Sequence, residues 1–104
     1  MSKMLAVVRG AINKFAKEHP RLYAANKDFF DYIVENWDLL WQKALEYWNG
    51  SKKRRSFHFI AENKLSNWTE IVVRIRRDWS ADVFKAYRYH RYLMPGSYEW
   101  VTVP

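Results

Sequence analysis

The sequence predicts an all-α fold, a compact bundle of four to five helices with a helix-turn-helix-like segment and a short C-terminal strand. Three observations predict it. Apolar residues recur three and four apart along the first half of the chain and again over 68–75. Residues that cap helices stand just before these stretches. Gly and Pro are few, three of each, and they punctuate the pattern.

Ser2 can cap a first helix, in which Leu5, Val8, Ile12 and Phe15 share one face and Arg9, Asn13 and Lys17 the other. His19-Pro20 ends it, because a residue before proline avoids the helical region. A second helical stretch runs from about Arg21 to Trp48. Its stripe is Phe30, Ile33, Trp37, Leu40, Ala44 and Trp48, widened by Trp41 and Leu45. Asn36-Trp37-Asp38 can divide it, since Asn suits a helix end and Asp a helix start. Asn49-Gly50 is a stop signal.

After a basic run, Ser56 to Glu62 reads as a short helix and Asn63 to Ser66 as a turn. Ser66 can cap a helix holding Trp68, Ile71, Val72 and Ile75. The segment from Arg54 to Arg77 then resembles the outline of a helix-turn-helix. An alternative stays open. Both stretches are rich in aromatic and β-branched residues, and Ile71, Val73 and Ile75 alternate, so they can pair as a hairpin around Asn63 to Asn67. Helix is favoured because Trp68, Ile71, Val72 and Ile75 also satisfy its period. Ser80 can cap a last helix, with Asp82 in its first turn, one face formed by Val83, Ala86, Tyr87 and His90, and Pro95-Gly96 closing it. Tyr98 to Val103 alternates as a short strand. The expected core is Leu5, Val8, Ile12, Phe15, Phe30, Ile33, Trp37, Leu40, Trp41, Ile71, Ile75, Val83 and Tyr87.

At 104 residues the chain is read as one domain. It is 49% apolar and 18% aromatic, unlike a disordered basic tail, so it folds. Cysteine is absent, which excludes disulfides and thiolate metal sites and fits a reducing compartment. No apolar run approaches the ~20 residues of a membrane span, and the N-terminal apolar stretch is too short for a secretory signal. The expectation is a cytoplasmic protein with no membrane partner.

Charge directs the functional reading. Lys52, Lys53, Arg54 and Arg55 form an unbroken run, and Arg74, Arg76, Arg77, Lys85, Arg88 and Arg91 follow. Together they hold ten of the eighteen Lys and Arg, in a chain of net charge +7. Such a basic surface suits a polyanion, with nucleic acid the default and DNA expected over RNA. Lys52 to Arg55, Arg74, Arg77, Arg88 and Arg91 are expected to touch phosphates, which gives affinity and salt dependence but no sequence information. Lys85, Arg88 and Arg91, three apart, would share a face of the last helix, with Tyr89 and Tyr92 interleaved. At the start of the recognition helix, Asn67, Thr69 and Glu70 would read bases, Asn67 and Thr69 foremost. The competing structural readings are a solvated loop, ordinary packed helices and buried tyrosines beneath snorkelling arginines. A homodimer is compatible with this layout.

No catalytic pattern accompanies the charge. His19, His58 and His90 are far apart, and no phosphate-cradling Gly loop, nucleophile elbow or zinc spacing occurs. Asp31 and Glu35 are four apart, a spacing that reads as a solvated helix face before a metal site. The expectation is a protein that is not an enzyme and needs neither metal nor cofactor.

Several patches resemble a family of small, mostly uncharacterised phage and prophage proteins. They are His19-Pro20-Arg21-Leu22-Tyr23, Phe29-Phe30, Gly50, Ser56 with Ile60 and Glu62 at S-x-x-x-I-x-E spacing, Trp68-Thr69, Phe84-Lys85, and Tyr89-His90-Arg91-Tyr92-Leu93-Met94 as Y-x-R-x-x-M. They span most of residues 15 to 95. The chain departs from the pattern at Asn67-Trp68, where the family has Arg-Trp, and lacks its Asn-rich stretch after Phe84-Lys85. The resemblance implies a phage-linked, helical, non-secreted protein and transfers no activity. Two roles are therefore expected. One is a non-catalytic DNA-binding protein that regulates or packages a genome. The other is an anti-defence inhibitor docking on a host protein or nucleoprotein complex, with surplus Trp and Tyr as anchors.

Overall fold

The computed structural model describes residues 2–88 and 99–102. Four helices come first: α1 (Ser2–Glu18), α2 (Pro20–Ala25), α3 (Lys27–Glu35) and α4 (Trp37–Asn49). Four strands follow: β1 (Ser56–Glu62), β2 (Thr69–Arg76), β3 (Ala81–Tyr87) and β4 (Glu99–Thr102). They form one sheet in the order β3-β2-β1-β4, antiparallel except for β4, which runs parallel to β1.

The helical half follows from its apolar spacing. Met4, Val8, Ile12 and Phe15 of α1, Phe30 and Ile33 of α3, and Trp37, Leu40, Ala44 and Trp48 of α4 are all buried in one core. Two asparagines set the breaks. Asn26 and Asn36 each donate the backbone N–H and the side-chain amide back to the preceding turn. The carbonyl of each then accepts from the following helix. Asn36 thus divides the long stretch where its sequence suggests, and Asn26 divides it again.

The second half overturns the all-α expectation: the fold is α+β. Ser56–Glu62 and Thr69–Arg76 are not helices but an antiparallel hairpin, in register from Ser56↔Arg76 to Glu62↔Glu70. Among the described residues there is no helix-turn-helix, and the molecule is no purely helical bundle. Ala81–Tyr87, expected as the first part of a last helix, is instead β3, paired from Thr69↔Tyr87 to Ile75↔Ala81. Phe57, Phe59, Ala61, Ile71, Val73 and Ile75 share the face that packs on the helices. Ile60 and Val72, on the opposite face, are buried as well.

The physical reasons are local. Ser66 does accept an N–H two residues on, from Trp68 at 3.3 Å, as a helix cap would, but within the β1–β2 turn. Ser80 lies in the β2–β3 turn and donates to Asp78 rather than starting a helix. Asp82 faces Arg74 across the ladder rather than a helix dipole. Of the expected core, Leu5, Trp41 and Val83 are partly buried against it, and Tyr87 is 52% exposed. His90, Tyr92 and the Pro95-Gly96 stop lie outside the described residues.

Candidate functional site

The hairpin register places Arg74 and Arg76 two apart on the face of β2 that points away from the helices, opposite His58 and Ser56 of β1. The ladder extends one step further, with the Arg77 amide donating to the Arg55 carbonyl at 3.1 Å. The two basic segments therefore meet at one end of the sheet. Arg55, Arg74, Arg76 and Arg77, with Ser56 and Asp78, line an open concavity of about 400 Å³.

The guanidinium groups have different partners. Arg74 is bidentate to Asp82, at 2.9 Å from Nε and 2.5 Å from Nη2, and lies 4.7 Å over the Phe84 ring. Arg76 donates to Ser80 Oγ at 3.3 Å and approaches Asp82 at 3.5 Å. Burial alone would raise the Asp82 carboxyl, but the Arg74 hydrogen bonds and the two arginine charges hold it below the ordinary carboxylate value. His58, behind Arg74, is pushed down to about 4 by burial first and the Arg74 charge second, so it is neutral at pH 7.

Arg77 has a structural task. Its Nη1 donates to the carbonyls of Ser51 and Arg54, and its Nη2 to that of Trp48, all at 2.9–3.0 Å. Arg54 donates to the Tyr47 carbonyl at 2.8 Å and lies 4.5 Å over the Tyr47 ring. Both cations thus satisfy carbonyls at the end of α4, where the helix dipole also favours positive charge. Gly50 makes room for this, since a Cβ there would overlap the Arg54 guanidinium. Lys52, Lys53 and Arg55 are exposed, and among the described residues their side chains have no hydrogen-bond or ionic partner.

The other candidates are not part of this cluster. Thr69 is 5% exposed, and its Oγ1 accepts from Asn63 Nδ2 at 2.9 Å, so it is sealed from any base. Glu70 is buried too. Asn67 lies in the β1–β2 turn, its carbonyl accepting from Arg88, which also pairs with Glu62 at 3.8 Å. The recognition helix that would have presented Asn67 and Thr69 is replaced by the β1–β2 turn and the start of β2, with Asn67 exposed and Thr69 buried. Arg88 is one β2 length from the concavity, roughly 25 Å at ~3.3 Å per residue. Lys85 sits on β3 opposite Ile71 and shares no helical face with Arg88. Arg91, Tyr89 and Tyr92 lie outside the described residues.

Sequence reasoning missed Ser56, Asp78 and the Asp82 clamp. A period of two through Arg74 and Arg76 is the signal for this face, and a helical reading of the segment hides it. The turn beyond them is strained: Trp79 has φ 69°, a left-handed conformation that costs a non-glycine residue on the order of 1 kcal/mol. Contact with the Trp41 ring at 6.0 Å, edge to face, offsets it.

Among the described residues, no group of three or more His, Asp or Glu could hold a metal ion. No helix there is long and apolar enough to cross a membrane. No protein-family model matches the chain, and no curated protein or solved structure matches it significantly, so the site's own geometry carries the functional reading.

Proposed function

We propose that the protein binds nucleic acid through its phosphates, without chemistry on it, and that Lys52, Lys53, Arg55, Arg74 and Arg76 make the contacts. One observation carries the reading: arginines from two separate segments converge on a single concavity, beside a loop in which Lys52 and Lys53 have no side-chain partner among the described residues. Arginine forks suit phosphate oxygens, and guanidinium groups already held by Asp82 lose little freedom on binding. DNA is the first ligand to test, against RNA of the same sequence.

Titration of labelled duplex and single strands at several salt concentrations tests this. Affinity should fall linearly with salt on a logarithmic scale, with about 0.9 of slope per duplex phosphate contact. The combined Lys52→Ala, Lys53→Ala and Arg55→Ala variant should lower the slope by two to three units. An unchanged slope removes these residues from the interface, and no binding at low salt removes the function.

A second reading, an inhibitor docking on a protein, is favoured by the other end of the sheet. There Trp68 is 77% exposed, with Leu65 and Tyr87 also presented to solvent. Protein binding that resists salt and is lost in Trp68→Ala, with nucleic-acid affinity absent, would establish it instead.

A further inference from the structure

We infer that the concavity takes the dianionic phosphate monoester of a nucleotide, free or at the 5′ end of a strand, in preference to the monoanionic diester of an uninterrupted backbone. This rests on the phosphate-binding reading above. Charge balance is the first argument. Four guanidinium groups and the Asp78 carboxylate line the concavity, and Asp82 pairs with Arg74 and Arg76 beside it, so four positive charges stand against two negative and two are in surplus. A phosphate monoester carries about −1.5 to −2 at pH 7 and matches that surplus. A diester carries one charge and leaves half of it unmet.

Donor geometry is the second argument. Arg74 uses Nε and Nη2 on Asp82 and keeps Nη1; Arg76 keeps Nε. The Ser56 hydroxyl and the whole Arg55 fork are also without partners among the described residues. A monoester presents three terminal oxygens to these convergent donors, whereas a backbone diester presents two. Shape is the third. About 400 Å³ falls within the range of small-molecule clefts, larger than a bare phosphate needs and suited to a phosphate with its sugar or base.

The test compares 5′-phosphorylated and 5′-hydroxyl oligonucleotides of one sequence, with a nucleoside monophosphate, its nucleoside, inorganic phosphate and phosphoserine as competitors. The 5′-phosphate strand should bind about tenfold tighter, the effect of one added charge-assisted contact. Arg55→Gln should abolish the preference; it removes no internal bond, so folding is retained. Arg76→Lys keeps the charge, loses the fork and should weaken the preference several-fold. Equal affinity for both strands overturns the inference while backbone binding stands. A nucleoside monophosphate that binds when no strand does supports the inference and overturns strand binding. Phosphoserine or inorganic phosphate competing as well as the nucleotide overturns the assignment of a nucleotide.

Discussion

At one end of the β1–β2 hairpin, cations face outward around a concavity, and Asp82 holds two of them from the neighbouring strand. At the other end the polarity is reversed. Asn26, Asn63 and Thr69 are buried in a hydrogen-bonded lattice while Leu65 and Trp68 face solvent. Asn26 Nδ2 donates to Asn63 Oδ1 at 3.2 Å, and Asn26 Oδ1 accepts from the Lys64 amide at 3.0 Å. Nearby, Lys64 and Asp28 form a surface ion pair. The difference teaches that counting charges overstates a basic surface. Arg54 and Arg77 have their donors committed to carbonyls at the end of α4, so Arg77 adds charge to the concavity, while the cations without such duties keep donors for a ligand.

Breaking the lattice should have the largest effect. Asn63→Ala removes the acceptor of Asn26 and Leu65 and the donor to Thr69, leaving buried groups unpaired. A loss of about 3–4 kcal/mol is expected in urea unfolding, with nucleic-acid affinity of the folded fraction unchanged.

Acid should come next. With the folded His58 near 4 and the unfolded side chain near 6.5, the unfolded state takes up its proton first. Stability is therefore full above about 6.5 and declines as pH falls toward 4, by on the order of 2–3 kcal/mol. Thermal melts across this range, with His58→Phe as the flattened control, measure the loss; an equally steep decline in the control would assign it elsewhere.

Within the basic end, Arg77→Ala should cost about 1–2 kcal/mol because three carbonyls lose their donor. Lys52→Ala with Lys53→Ala should shift stability by less than about 0.5 kcal/mol yet lower the duplex salt slope by about two units. A destabilisation equal to that of Arg77→Ala would erase the division between structural and free cations.

α1, α3 and α4 are legible because each is covered on one side, so period 3.6 survives in Val8, Ile12 and Phe15, although Met4 rather than Leu5 completes the buried face of α1. The central strands are not. Ile60 and Val72 are buried on the face opposite Phe59 and Val73, so the alternation of Phe57, Phe59 and Ala61 and of Ile71, Val73 and Ile75 is interrupted at mid-strand and competes with the helical spacing of Trp68, Ile71, Val72 and Ile75. Trp68 favours a helical reading, yet at 77% exposure it is the most exposed large apolar side chain among the described residues. Both basic segments were legible as cations, and Arg55, Arg74 and Arg77 do line one concavity. Which arginines are held by carbonyls depends on contacts such as Trp48 to Arg77, 29 positions apart, which no local pattern encodes.

Asn26 has a kinetic consequence. Its side chain bridges the α2–α3 junction to residues 37 and 38 positions onward, so those bonds form only after the helical half and the β1–β2 turn have met. They are late contacts in folding, and their loss should speed unfolding more than it slows folding. The Lys64 amide, held by Asn26, should accordingly exchange with solvent only as often as the sheet and the helices separate, which native-state hydrogen exchange would register as one shared opening.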